Sequence, residues 1–440
     1  GNARTEDLWT AIQAASGEPV LAIARSFTGQ PGFPVLSANA ACDRRQGALL
    51  TLRQRRFAMD EASRTGETWE IPVVTRTLSG APRRAVLDAQ ASASVPLSDC
   101  GPYIVNAGQS GLYRVLYERG NFTELAARFA QLDKADQLGL LLDYWAFGRS
   151  GDAPFTDYLD LVSAIPADAD PVIVMDTASS MLAFADYAKG RPSESAVRTY
   201  GRRTLRPFFD RLGWSPHANE LANHTLARAQ LIGALGALGD GEIIAEARRR
   251  AASAESDPTV LPGAIRAAVL GVQALNATPS EYEAMLAQAR AAKDFVEQRR
   301  LWLTLAGARD AALARRSLDL VLGEEIPRQI RTQVVASVSG RHPRLAWDFV
   351  VANRAAIEAL LDPLSRLEYP GDIASASADA RIADELEIYA RNFPEGAMAS
   401  VASSAATIRL RAQTVAERMP AVEAWIAARE RPPARGRAAR

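Results

Sequence analysis

The stretch Gly101–Tyr117, GPYIVNAGQSGLYRVLY, decides how the rest of the chain is read. It reads as two short strands around the turn Gly108-Gln109-Ser110-Gly111. In the second strand Tyr113, Val115 and Tyr117 point one way, and Arg114 and Leu116 the other, because side chains alternate across a strand. Ahead of it the apolar residues recur with the period of β-structure. Behind it they recur with the period of a helix almost to the end of the chain. The fold class that follows is mainly α with a small all-β module.

On the upstream side, Thr5 reads as the N-cap of a helix carrying Leu8, Trp9 and Ile12, stopped at Gly17. Pro19 opens a second helix from Val20 to about Thr28. Gln30-Pro31-Gly32-Phe33-Pro34 then forbids helix. Two short helices cannot bury both of their apolar faces alone, so residues 1–34 read as the remnant of a larger helical domain. From Val35 the period is two. Leu50-Thr51-Leu52-Arg53 alternates, Trp69, Ile71 and Val73 share a face, and further strands fall near Ala85–Gln90 and Ser92–Pro96. About seven short strands in residues 35–117 suit a β-sandwich.

On the downstream side, Asp133 reads as the cap of a helix with Leu138, Leu141, Leu142 and Trp145, stopped near Gly151. Cap-plus-proline pairs mark later helix starts at Asp170-Pro171, Ser215-Pro216, Asp257-Pro258 and Thr278-Pro279. Later helices bury Leu301, Leu305 and Trp302, and then Trp347, Val350 and Val351. Helix pairs recurring without a strict repeat make residues 118–428 an irregular α-helical solenoid of the HEAT or armadillo kind, each pair stacking on its neighbours. Residues 429–440, with Pro432, Pro433 and five arginines, read as a disordered tail.

Composition narrows the function. The 440 residues carry 51 Lys+Arg against 51 Asp+Glu, with 48% hydrophobic and 23% charged residues. A neutral balance argues against a surface built for nucleic acid or an anionic membrane. No apolar run approaches the ~20 residues that cross a bilayer, and no signal peptide opens the chain. The expectation is a soluble protein, of bacterial cytoplasm or periplasm. Cys42 and Cys100 are the two cysteines. They are read as unpaired thiols, with one bridge across the sandwich as the alternative, since both flank strands.

Several of these segments resemble the aminopeptidase N-like zinc metallopeptidases, the gluzincin aminopeptidase family. Asn106, Gln109, Gly111, Tyr113, Arg114, Val115 and Tyr117 match that family's N-x-G/D-Q-x-G-x-Y-R-V-x-Y strand. Leu50, Gln54, Arg56 and Phe57 match its L-x-x-x-Q-x-R-F, and Trp69-x-Ile71-Pro72-Val73 its W-x-I-P-V. Leu205-x-Pro207 with Leu212-Gly213-Trp214, and Arg341–Phe349, are similar to segments of its helical domain. The resemblance implies that residues 1–34 are the last helices of a catalytic domain, followed by the sandwich and the helical domain. It also implies a parent with zinc as cofactor, a peptide as substrate, and the catalytic domain as this region's partner.

The chemistry that such a parent needs is two histidines four apart on a helix, a Glu beside the first, and a third ligand downstream. The three histidines, His217, His224 and His342, do not stand in that order and read as surface or partly buried side chains. No catalytic, cofactor-binding or metal-binding residue is therefore assigned, and this chain alone is not expected to be an enzyme. No G-x-S-x-G elbow, G-x-x-x-x-G-K-[ST] loop or strand-led G-x-G-x-x-G is present. Asp136 and Asp143, one face-repeat apart, read as solvated or capping carboxylates, and Glu324-Glu325 as surface charge. Arg248-Arg249-Arg250 and Arg315-Arg316 read as solvated helix ends. In peptide-trimming relatives the helical domain carries basic groups that meet the peptide's C-terminal carboxylate. Arg331, Arg341 and Arg344 are candidates for that role, although Arg341-His342-Pro343-Arg344 also reads as an inter-helix turn.

Two functions follow. The first is a non-catalytic C-terminal region of a zinc aminopeptidase, its sandwich a spacer and its solenoid a cap restricting access to the active-site chamber. The alternative is a standalone solenoid module that binds a peptide or protein and has lost the peptidase domain. An upstream reading frame through H-E-x-x-H selects the first, and a native start codon at Gly1 the second.

Overall fold

A computed structural model of the chain describes residues 3–43, 47–90, 92–217, 219–254 and 256–430. Its contacts divide the chain into two units, one ending at Ile173 and one beginning at Val174.

The first unit opens with α1 (Thr5–Ser16) and α2 (Val20–Thr28). Thr5 is the first helical residue and not the cap. Arg4 caps the helix, and its N–H donates to the Asp7 carboxylate at 2.8 Å. Gly17 ends α1 at φ 72°, the left-handed geometry that suits glycine. The strands are β1 (Pro34–Asp43), β2 (Gly47–Arg56), β3 (Ile71–Thr77), β4 (Arg83–Leu87), β5 (Ser92–Pro96), β6 (Tyr103–Val105) and β7 (Arg114–Tyr117). They form one sheet in the order β5-β2-β1-β7 and another in the order β4-β3-β6. Leu50, Leu52, Trp69, Ile71 and Val73 are all buried, as the alternation requires.

β6 and β7 flank the turn Gly108-Gln109-Ser110-Gly111, yet they do not pair with each other. β6 lies against β3, while β7 runs parallel to β1. The connection carries the chain from one sheet to the other, and it is locked by its own side chains. Asn106 and Gln109 take left-handed φ values of 63° and 54°. The Asn106 amide accepts from the Gly111 N–H at 2.8 Å and donates to the Gly111 carbonyl at 3.0 Å. The Tyr117 hydroxyl accepts from Val105 N–H at 3.0 Å and donates to Val105 O at 3.1 Å, bonding one sheet to the other. Gln54 is the second cross-link. Its amide donates to the carbonyls of Trp69, Asp88 and Gln90 and accepts the Trp69 N–H. A polar residue thus occupies an inward position of β2 because it satisfies backbone groups that would otherwise be buried unpaired.

Cys42 and Cys100 form a disulfide, with 5.6 Å between their Cα atoms, which corrects the reading as unpaired thiols. β5 pairs with β2 so that Pro96 lies opposite Leu49, and Cys42 lies opposite Ala48 on the other side of β2. The chain leaving β5 therefore passes the end of β1 where Cys42 stands. Sequence spacing cannot report that register.

Three further helices belong to this unit: α3 (Arg119–Ala127), α4 (Lys134–Ser150) and α5 (Phe155–Ser163). Asp133 stands at the N-cap of α4, but its carboxylate bonds Arg76 at 2.6 Å and not the helix. Asp136 and Asp143 correct the sequence reading. They are 1% and 8% exposed, neither solvated nor capping. Asp136 accepts from Gly108 N–H at 2.7 Å and from Arg76 at 2.8 Å. Asp143 accepts from Val115 N–H at 2.8 Å and from Arg114 at 3.0 Å. Their spacing puts both on one face of α4, and that face holds the Gly108 turn and strand β7. Leu142, expected inside, is exposed.

The second unit begins within α6 (Pro171–Tyr187). It continues through α7 (Glu194–Leu212), α8 (Ala222–Leu238), α9 (Gly241–Ser253), α10 (Gly263–Leu275), α11 (Pro279–Ala291), α12 (Phe295–Leu305) and α13 (Ala311–Val321). It ends with α14 (Arg331–Ser339), α15 (Pro343–Ala352), α16 (Arg354–Glu358), α17 (Ser365–Ala374), α18 (Ala380–Tyr389), α19 (Met398–Gln413) and α20 (Met419–Glu430). Asp170-Pro171 and Thr278-Pro279 do start helices, the latter with a capping box through Glu281. Ser215-Pro216 does not, for α8 begins only at Ala222. Asp257-Pro258 opens a single 3₁₀ turn before α10. One core gathers Trp302, Leu318, Val334 and Val350, and the next gathers Trp347, Leu386 and Ile408. Val351, expected inside with them, is exposed.

Stacking is not confined to neighbours. α20 returns to α7, with Trp425 edge-on to Tyr200 at 5.5 Å and Glu423 ion-paired with Arg191. A purely one-dimensional array would leave its last helix remote from its first. Arg429 and Glu430, assigned to the tail by sequence, complete α20. The remainder of that tail, 431–440, lies outside the described residues.

Candidate functional site

Helix ends and turns of the second unit meet around a cavity of about 700 Å³. Its walls come from the end of α6, the start of α7, the end of α8, and the turns leading into α13 and α15. Lys189, Arg198, Arg309 and Arg341 line it, with Asp186, Glu194 and His342.

The C-terminal carbonyls of α8 draw the guanidinium groups in. Ala237 O accepts from Arg198 at 2.8 Å and from Arg309 at 2.7 Å, and Leu238 O accepts from Arg202 at 2.7 Å. These are unpaired acceptors at the negative end of a helix, where cations are favoured. Lys189 is an exposed residue of the lining and donates its ammonium to the Arg341 carbonyl. His342 bonds Ala308 O through Nε2 at 3.0 Å. Burial, with Lys189 and Arg341 nearby, holds the imidazole below its usual range, so it is neutral at pH 7 and donates that bond.

The two carboxylates of the cavity are already engaged. Glu194 pairs with Arg198 at 3.0 Å and accepts the Gly190 N–H at 2.8 Å. Asp186 pairs with Arg411 at 2.6 Å. Among the described residues, no carboxylate stands within salt-bridge distance of Lys189, Arg309 or Arg341. The Arg309 Nε is buried without a hydrogen-bond partner. Burial, then Arg198 and Arg341, push the Arg309 guanidinium down to about 10. Arg341 and Lys189 are also held below their ordinary ranges, chiefly by burial. The arrangement leaves more cations than carboxylates in a partly desolvated hollow, with Asp186 and Glu194 each bonded to another arginine.

Of the three arginines singled out in the sequence, only Arg341 lines this cavity. Arg331 bonds Ile326 O at 2.8 Å, and Arg344 pairs with Asp348 and Glu385 at the surface. Lys189, Arg198 and Arg309 were missed. Lys189 is 152 residues from Arg341, and no local pattern marks either as a wall of one cavity. The cation runs read as solvated helix ends are more closely bound than that. Arg248 pairs with Glu281, Arg250 with Glu246, and Arg316 with Glu283. Glu325 pairs with Arg290 at the surface.

The histidines do not build a metal centre. The Glu220 carboxylate beside His217 and His224 is taken by the buried Arg228, which holds it below the usual carboxylate range. His342 belongs to the cavity. Among the described residues no three His, Cys, Asp or Glu side chains converge as a metal requires, so the donor set does not fit the zinc that the family resemblance implies. No helix among the described residues is long and apolar enough to cross a membrane.

Comparison with known proteins gives consistent matches. Residues 102–410 match the ERAP1-like C-terminal domain. Aminopeptidase M1 of Arabidopsis thaliana is 27% identical over 374 residues, covering 79% of this chain and 42% of that protein. Aminopeptidase M1-A of Oryza sativa is 27% identical over 371 residues, again 79% of this chain and 41% of its own length. Tricorn protease-interacting factor F2 of Thermoplasma acidophilum is 34% identical over 181 residues, 41% of this chain and 22% of that protein. The chain thus spans about two fifths, or less, of the length of these relatives.

Proposed function

The chain belongs to the ERAP1-like C-terminal domain family, and from that premise we propose that it is the non-catalytic C-terminal region of a zinc aminopeptidase that removes N-terminal residues from peptides. Zinc and the catalytic groups belong to the upstream part of the parent, which is this region's partner. The sheet module is a rigid sandwich spacer. The helical array is a cap that encloses the active-site chamber and restricts access to it, its movement gating entry as lids do elsewhere.

The observation that carries this reading is the match over 79% of the chain to 42% of an aminopeptidase. A second observation supports the partner. Neither α1 nor α2 buries a single residue, and Leu8 and Ile12 are exposed. Two helices of 12 and 9 residues are too short to stand alone in water and gain their stability from a packed neighbour. The Cys42–Cys100 bridge fits a parent that works in an oxidising compartment.

Assays on the parent and on this chain test the proposal. The 440-residue chain is expected to release no anilide from aminoacyl-anilides and to bind no stoichiometric zinc. The parent is expected to do both. Removing the helical array from the parent is expected to leave anilide hydrolysis in place and to open the enzyme to large protein substrates. Stoichiometric zinc with anilide hydrolysis by this chain alone overturns the reading. Substrate-size selectivity unchanged by removal of the array overturns the capping role.

A further inference from the structure

The cavity of the helical unit holds Lys189, Arg309 and Arg341, and none of them has a carboxylate within salt-bridge distance among the described residues. We propose that this cavity is a binding site for a small, multiply charged oxyanion of the inorganic phosphate class. The site is built by four chain segments, the α6–α7 turn, the end of α8, and the turns before α13 and α15. It does not depend on one helix end. About 700 Å³ admits a phosphate or diphosphate with its remaining water.

Charge balance selects the ligand class. A lone carboxylate, such as a peptide terminus, offers one negative charge to three cations that lack a salt-bridge partner. A phosphate dianion or a diphosphate offers two or more, with oxygens enough for several donors. The donors are in place. The buried Arg309 Nε lacks a partner. The Arg309 Nη2 and the Lys189 ammonium are held only by backbone carbonyls. His342 is neutral and adds no competing charge. Burial first, and neighbouring cations after it, depress the proton affinity of Lys189, Arg309 and Arg341, and a bound polyanion would oppose that depression.

The test is calorimetric titration of the 440-residue chain with inorganic phosphate and with diphosphate at constant ionic strength. Saturable one-to-one binding is expected. Arg309→Gln and Arg341→Gln are each expected to weaken it about tenfold or more, the effect of losing a charged hydrogen bond. Arg344→Gln, outside the cavity, is expected to change nothing. Circular dichroism on each variant shows that it is folded, and Lys189→Gln at an exposed position serves if an arginine variant is not. Absence of saturable binding overturns the proposal. So does binding that survives the double Arg309→Gln, Arg341→Gln variant. So, too, does tight binding of a peptide with a free C-terminus, but not of its amide, that phosphate fails to displace.

Discussion

Asp143 sits at the junction of the sheets and α4, and its titration should be visible in the stability of that junction. Its carboxylate accepts from Val115 N–H and from Arg114. Both contacts favour the charged form, yet burial outweighs them and raises the carboxyl to about 7. An aspartate in an unfolded chain titrates near ~3.9. The native state therefore holds the proton more tightly than the unfolded state between those values. Stability is then fully present below about pH 4 and falls as pH rises through about 7. A difference of roughly three pH units corresponds to about 4 kcal/mol at most. The side chain keeps 12% of its exposure, so solvent trims that figure. The perturbation is Asp143→Asn, which keeps the shape, can still accept from Val115, and does not titrate. Its amide faces Arg114, so at pH 4.5 the variant should be less stable than the wild type by about 1–2 kcal/mol. By pH 7.5 that gap should close or reverse. Native-state hydrogen exchange at the Val115 amide, corrected for the intrinsic rate, reads the opening free energy at the junction itself. A gap that stays constant or widens across this range refutes the reasoning. It would mean that Arg114 and the Val115 N–H outweigh burial and keep the carboxylate ionised throughout.

Three further outcomes are expected. Gln54→Leu conserves volume but strands the Trp69 N–H and three carbonyls, and should cost about 3 kcal/mol or more, read as a lower urea midpoint. On α8, Gly233→Ala meets nothing within 4 Å and should stabilise by roughly 0.5–1 kcal/mol. One turn on, Gly236→Ala puts a methyl 2.4 Å from the Val272 side chain and should destabilise by about 1–3 kcal/mol, so the two melting temperatures should move in opposite directions. The Cys42–Cys100 bridge closes a separation of 58 residues. The double Cys→Ser variant should lose about 2–4 kcal/mol, and the unreduced protein should show no reactive thiol until denatured and reduced.

Much of the architecture was legible. The switch from period two to helical period at Tyr117, the buried faces of Leu50, Leu52, Trp69, Ile71 and Val73, and the stops at Gly17 and Gly151 all follow from local rules. The misses share a cause. Ser215-Pro216 and Asp257-Pro258 have the chemistry of helix starts, but the chain goes on as turn or 3₁₀ before the next helix. Asp136 and Asp143 look like solvent-facing charge until the strand they hold is placed against their helix. The cavity was hardly legible at all. Arg341 was picked out with Arg331 and Arg344, and nothing local separates the one that lines it from the two that do not.

The amino-acid sequence by itself determined the order of the modules, the faces of their elements and the family resemblance, because periodicity, caps and turns depend on residues a few positions apart. The tertiary structure decided which sheet each strand of Gly101–Tyr117 joins, the pairing of Cys42 with Cys100, the burial of Asp136 and Asp143, and the gathering of Lys189, Arg309 and Arg341. Each of these depends on groups distant in the chain whose energies are set by desolvation and proximity. Those quantities exist only once the chain is packed.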